Sequence, residues 1–311
     1  MTLRRALFQG LIDYAGLFPP AQLSMQPAVE EYRTIRCGPY SWIAGRFIVP
    51  VSRIAELTAS IGPTPIQICA IADAGSDSRE WFRNAQSRVG DLAAVRQSSL
   101  LEVAAIEVAV PALTAARETF DPVIGQFAML AHSAALGDLP VYVELPRGPR
   151  FEELLPSAMF ALARSKLGAK LRCGGVEPEA FPSAAEVAAF LLAAHEYDVP
   201  FKATAGLHHP IRAVEPSSGL LMHGFINLLA ASVFVRGGSD RAELEAILEE
   251  RDPAAFSVTD EHFGWRDRFV DVAEVAQMRA RGFIAYGSCS FLEPVGDLVA
   301  LGMLDAMPTA V

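Results

Sequence analysis

Short runs rich in β-branched and aromatic residues alternate with longer amphipathic stretches through most of the chain, the rhythm of βαβ units around a parallel sheet. The apolar runs predict strands at 12–14, 46–49, 66–72, 103–110, 141–145, 169–173, 201–205 and 283–286. Eight strands with helices between them favour a closed α/β barrel, a (β/α)8 TIM barrel, over an open sheet. Two of the helices mark their own ends. Ser183 and Glu186 form a capping box ahead of Val187, Phe190, Leu191 and Ala194, which share one face of a helix ending near Tyr197. The stretch 272–281 carries Val272, Val275 and Met278 on one side and stops at Gly282, where a left-handed cap is expected.

The segment 211–281 is too long for a single helical return to the last strand, so it is expected to hold an insertion. Within it, 256–270 alternates as a β-hairpin does, with Phe256, Val258, Trp265 and Phe269 available to pack. The whole chain, 1–311, is then one barrel domain with an embellishment before its final strand.

In such a barrel the reactive side chains lie at the C-terminal ends of strands and on the loops beyond them. Lys170 and Arg172 repeat at a spacing of two and so share one side of their strand, and Lys202 stands on the next. Cations on otherwise apolar strands require partners or a function. Packed against a second cation in the barrel interior, a lysine loses its proton more readily, and the free amine attacks a carbonyl to form an imine. The opposing expectation is that Glu107, Glu144 or Asp13 pairs with the lysines and the charges simply fill the barrel. Gly206 and the run Gly287, Ser288, Cys289, Ser290 can cradle an anion with backbone N–H groups, or make a tight turn in which Ser290 caps the helix at Glu293. His208 and His209 lie on the loop after the Lys202 strand as candidate substrate contacts. Their spacing provides no preformed pair of metal ligands, and neither a metal nor another cofactor is expected.

Composition narrows the setting. Against 36 acidic residues there are 26 basic ones, a net charge of −10 with no basic patch, which argues against nucleic acid and anionic membrane as partners. The greasiest segment, 219–235, is interrupted by His223, Asn227 and Ser232, too polar for a membrane span. Cys37, Cys69, Cys173 and Cys289 make no C-x-x-C pair, and reduced thiols in the cytoplasm are expected. An apolar fraction of 51% leaves room for a buried homodimer interface.

Seven segments, in order, resemble deoxyribose-phosphate aldolase and its class I aldolase relatives: LIDYAGLFPPA (11–21), FIVP (47–50), AIEVAVPAL (105–113), VYVELP (141–146), KLRCGG (170–175), FKATAG (201–206) and FIAYGSCSFL (283–292). The resemblance implies an imine-forming lysine on one strand, a second lysine on the next that lowers its pKa, and carboxylates that relay protons. Carried over, Lys202 is the second lysine, Asp13 the first-strand carboxylate, and Glu107 stands where the family has an aspartate. The family's Lys, three residues, then Gly is reproduced by Lys170 to Gly174; aligning instead on Gly168-Ala169 places Arg172 at the reactive depth, where no imine can form. The expected activity is a class I aldolase-like lyase acting through Lys170 on a small carbonyl substrate with an anionic group, held by Arg172, Gly206, His208, His209, Gly287, Ser288 and Ser290. The alternatives are a non-imine isomerase, decarboxylase or metal-dependent hydrolase built on Arg172, Lys202 and His208/His209, and a non-catalytic barrel that binds a small anion or, through Phe263 and Trp265, a partner.

Overall fold

The computed structural model describes residues 1–76, 80–112, 118–175, 177–215 and 219–306; Leu113, the last residue of the AIEVAVPAL segment, lies outside them. Seven strands follow one another with helical returns: β1 (Ile12–Tyr14), β2 (Ala44–Pro50), β3 (Ile66–Ile71), β4 (Leu101–Ala109), β5 (Val141–Glu144), β6 (Gly168–Arg172) and β7 (Phe201–Thr204). After β7 comes a two-stranded ribbon, β8 (Ala213–Val214) and β9 (Leu221–Met222), then two helices, Phe225–Arg236 and Arg241–Glu249. A small antiparallel sheet of β10 (Phe256–Val258), β11 (Phe263–Trp265) and β12 (Arg268–Val270) precedes the last barrel strand, β13 (Phe283–Ser288). β13 pairs in parallel with both β7 and β1, and β1 with β2, so eight parallel strands close a barrel.

Period-two alternation sorts the strand residues. On β7, Phe201 and Ala203 face the helices, and the Phe201 ring stacks on Phe283 at 5.1 Å and meets Phe190 edge-on at 5.3 Å. Lys202, between them, turns into the barrel. The principal apolar core lies between barrel and helices, while Ala15, Ile48, Cys69, Ala105 and Tyr142 form a small separate cluster. The helix Ala184–Glu196 has the capping box expected of Ser183 and Glu186. The helix Val272–Arg281 has the expected bounds, but its cap differs: Gly282 has φ −125°, not a left-handed value, and its N–H donates to the Met278 carbonyl. A Cβ at Gly282 would lie 2.9 Å from that same oxygen, so close approach rather than handedness calls for glycine here.

The expected hairpin is a three-stranded meander, with Phe256 opposite Trp265 and Trp265 opposite Arg268. Phe256, Val258, Phe263 and Trp265 are buried, so the last two do not form an exposed interaction surface; Phe269, expected to pack, is instead 55% exposed. Segment 219–235 holds β9 and then the helix Phe225–Arg236, which is buried along nearly all its length. Among the described residues no helix is long and apolar enough to cross a membrane.

His223, just ahead of that helix, is buried and locked in one tautomer. Its Nε2–H donates to the Pro182 carbonyl at 2.7 Å, and its Nδ1 accepts from the Arg212 guanidinium at 2.9 Å. Burial, reinforced by Arg212, lowers its pKa to about 4 despite the opposing bond to Pro182. An unfolded histidine takes up a proton near pH 6.5, this one only near 4, so its contribution is complete above 6.5 and is lost as pH falls towards 4. Between pH 7 and pH 5 the loss amounts to about 2 kcal/mol. Urea unfolding of His223→Gln should therefore show a pH slope shallower by that amount than the parent's; equal slopes would refute the assignment.

Candidate active site

Five barrel strands send charged side chains to the same interior layer. Lys202 on β7 is fully buried, its Nζ 2.5 Å from Asp13 Oδ2 on β1 and 2.5 Å from Glu107 Oε1 on β4. The other oxygen of Glu107, Oε2, lies 2.8 Å from Lys170 Nζ on β6, and Lys170 in turn lies 2.9 Å from Glu144 Oε2 on β5. Glu144 Oε1 accepts from Arg172 Nε at 2.8 Å, where the chain reaches the rim and the arginine side chain is 47% exposed. At the opposite end Arg46 on β2 holds Asp13 through its backbone N–H at 2.6 Å and its guanidinium at 3.5 Å. Cations and carboxylates thus alternate from Arg46 to Arg172, four against three, leaving one net positive charge.

Register decides the depth of each cation. Lys170 pairs with Lys202 across β6 and β7, whereas Arg172 pairs with Thr204, one inward layer higher. The lysine therefore occupies the level of the buried lysine, and the arginine stands at the mouth.

The electrostatics run opposite to the expected pairing of two lysines and follow the opposing expectation, in which Glu107, Glu144 and Asp13 pair with them. Burial pulls the Lys170 pKa down, but Glu107 and Glu144 outweigh it and hold the group above the usual lysine range. Lys202 is likewise raised, burial being overcome by Asp13 and then Glu107. Burial pushes Glu107 up, yet the Lys170 and Lys202 ammoniums hold it well below the ordinary carboxylate range; Glu144 is lowered by Lys170 and Arg172 against the same burial. Lys202 has its own two carboxylates, so its charge does not expel the proton of Lys170. In the resting site both lysines are ammonium ions.

Above this layer opens a cavity of about 810 Å³. Lys170, Glu107 and Arg172 line its floor and side, while Phe18, Ile48, Ile71, Leu207, Leu220 and Met222 supply apolar wall. Of the residues predicted from sequence, Gly206, His208, Gly287, Ser288 and Ser290 also line it; Asp13, Lys202 and His209 do not. Ser288 Oγ is buried and has no hydrogen-bond partner among the described residues, so it has a proton to offer a ligand. Gly206 has φ +66°, and a Cβ there would lie 2.8 Å from the Cys173 carbonyl, so the loop after β7 can pass here only as glycine. Ser290 accepts from the Glu293 N–H at 3.3 Å, the capping role allowed for it.

Compared with known protein families and with curated proteins, the chain has no match. Function is therefore read from the barrel and the arrangement of its charges.

His208 and His209 diverge as neighbours in an extended loop do. His208 Nδ1 meets Glu293 at 3.0 Å and its Nε2 faces Cys289 Sγ at 4.0 Å. His209 is bracketed by Asp297 at 2.7 Å and Glu215 at 3.1 Å. His209, Glu215 and Glu293 bring one ligand atom each within 4.8 Å of one another, as do Asp13, Cys69 and Glu107. The first trio has a donor set suited to a divalent cation; in the second the Lys202 ammonium already supplies the positive charge. Arg46 and Glu293 were not assigned site roles from sequence; Cys289 was read as part of the Gly287–Ser290 run beside the site, where a cysteine is either reactive or inert packing. Arg46 sits at the edge of a predicted strand, where alternation says little, and Glu293 is joined to His208 by a contact with no periodic signature.

Proposed function

We propose that this barrel is a carbon–carbon lyase of the class I aldolase type, forming an imine between Lys170 and a small carbonyl compound with an anionic group. The observation that carries the reading is that Lys170 is the lysine lining the cavity, while Lys202, at the same level, is sealed behind it. The ordered resemblance to the aldolase segments supports the same assignment.

The anionic end of the substrate pairs with Arg172 at the mouth and accepts from Ser288. Drawing Arg172 away from Glu144 leaves that carboxylate more basic, and it takes the proton of Lys170 across their 2.9 Å contact. The free Nζ then adds to the carbonyl carbon, and the carbonyl oxygen leaves as water with one proton from Nζ and the one Glu144 took. The protonated imine draws in the electron pair of the bond between its α and β carbons, and that bond breaks as the β-hydroxyl gives up its proton, leaving an enamine on Lys170 and a free aldehyde. Glu107, fixed between the two ammoniums, accepts that hydroxyl proton and returns it to the enamine carbon. Lys202 helps keep Glu107 ionised, and Asp13 holds Lys202 in place. The non-imine reading is less well served: Arg172 and His208 face the cavity, but Lys202 and His209 do not.

Borohydride reduction in the presence of small aldehydes and ketoacids, followed by peptide mass mapping, tests this. The expected result is a reduced adduct on the Lys170 peptide that is absent from Lys170→Met and insensitive to a chelator. With both peptides covered, an adduct confined to Lys202, or none on either lysine alongside a reactive control aldolase, would sink the proposal.

A further inference from the structure

The loops after β7 and β13, neighbours in the barrel, and the first turn of the helix Leu292–Ala300 bring an imidazole, a thiol and a carboxylate together on the cavity wall. Cys289 Sγ is 4.0 Å from His208 Nε2, His208 Nδ1 is 3.0 Å from Glu293 Oε2, and all three side chains line the cavity. A nucleophile in reach of a base that is itself oriented by a third group is the arrangement that activates a cysteine. The other cysteines lack it. Cys173 is buried, and burial pushes its thiol up to about 12; burial and then Glu107 push Cys69 up likewise; Cys37 is exposed at the end of the helix Met25–Cys37.

We propose that Cys289, His208 and Glu293 form a second nucleophilic centre in this cavity, which takes the acyl group of a small ester or thioester. The Sγ–H proton passes to His208 Nε2 and the sulfur adds to the acyl carbon. The bond from that carbon to the leaving oxygen or sulfur breaks, and the leaving atom takes the proton from the imidazolium, giving an acyl thioester on Cys289. Glu293 is a positioning residue: it presents His208 with Nε2 towards the sulfur and favours the imidazolium. The pKa of His208 is raised to about 9, chiefly by its contact with Cys289 and also by Glu293, against burial. The groups facing this pair are Glu293 and, within electrostatic reach of Cys289, Tyr14. The centre stands independently of the imine, because Lys170 belongs to the layer below.

Iodoacetamide labelling of the intact chain between pH 6 and 9, read peptide by peptide, tests the pairing. At pH 6, Cys289 should alkylate at least ~10-fold faster than the exposed Cys37, because His208 Nε2 stands within reach of its Sγ to take the proton as the sulfur attacks. His208→Gln should abolish that advantage and change the pH dependence of the alkylation rate, because the base beside the sulfur is gone. Glu293→Gln should shift the profile part of the way while leaving the rate at pH 9 intact, which a purely structural role would not do. With p-nitrophenyl acetate as acyl donor, the acetyl group should appear on the Cys289 peptide and be lost in Cys289→Ser. Alkylation of Cys289 no faster than Cys37 at pH 6, a profile unmoved by His208→Gln, or acetylation confined to lysines would each overturn the proposal. Imine trapping is read on the Lys170 peptide, so either centre can fail while the other stands.

Discussion

Lys202→Met is expected to lower the unfolding free energy by about 3–5 kcal/mol, the cost of breaking a buried ion pair from one side. Methionine fills much of the same space, so the loss would come from charge and not from a cavity. The ammonium it removes is fully buried and holds Asp13 and Glu107, each at 2.5 Å, with Cys69 Sγ a third contact at 3.4 Å. Without it Asp13 keeps only Arg46, whose guanidinium is 3.5 Å away, and Glu107 keeps only Lys170. The sign of the pH dependence separates this from ordinary packing damage. In the parent, Glu107 is held below the usual carboxylate range, so its stabilising contribution is present above about pH 4.3 and lost as pH falls further. In the variant Glu107 has lost one of the two ammoniums that hold it ionised and takes up its proton at higher pH than in the parent. Its deficit should therefore narrow as pH falls from 7 to 5. Adding Asp13→Asn should recover part of the loss, with a coupling of at least about 1 kcal/mol between the two sites. A deficit below about 1 kcal/mol that does not change with pH would show that the chain of charges contributes little.

The same chain of charges explains what could and could not be read from sequence. The barrel was legible because each strand is a short apolar run and each return carries one buried face. Lys170 and Lys202 were legible as polar residues at inward positions on adjacent strands. Their electrical state was left open between mutual repulsion and pairing with carboxylates. Seen on two neighbouring strands alone, the lysines appear to repel, whereas Asp13, Glu107 and Glu144 arrive in the same layer from β1, β4 and β5 and reverse the sign. Closure of the barrel creates those contacts, and no local pattern encodes them. The meander was missed for a different reason. Its second turn, Arg266-Asp267, uses a left-handed Arg266 with φ 54°, and contains no glycine to announce it. The cap at Gly282 was misassigned because glycine serves close approach as well as positive φ, and sequence does not distinguish the two.

Glu144→Gln is expected to shift the pH profile of imine trapping at Lys170 to lower pH by about 1–3 units, the usual influence of one adjacent opposite charge. Lys170 is held as an ammonium by Glu107 at 2.8 Å and Glu144 at 2.9 Å, which together overcome the effect of burial. Glutamine preserves the shape and an acceptor oxygen but removes the charge, so the amine becomes free at lower pH and trapping by borohydride speeds up on the acid side of the profile. Under turnover the outcome reverses. Glu144 also carries the Lys170 proton to the departing water and passes it back as the product imine is hydrolysed, so the variant should form adduct readily yet turn over slowly at neutral pH, by about 10²–10⁴-fold for a lost general acid–base group. Arg172→Lys offers the complementary case: Glu144 and Lys170 keep their contact, but the forked donor at the mouth is lost, and KM for an anionic substrate should rise with little change in the trapping profile. The three readouts depend on one geometry. A trapping profile unchanged in Glu144→Gln would mean that the reactive amine is not Lys170, and the ammonium between Glu107 and Glu144 would then be a structural charge in a barrel whose chemistry lies elsewhere in the cavity.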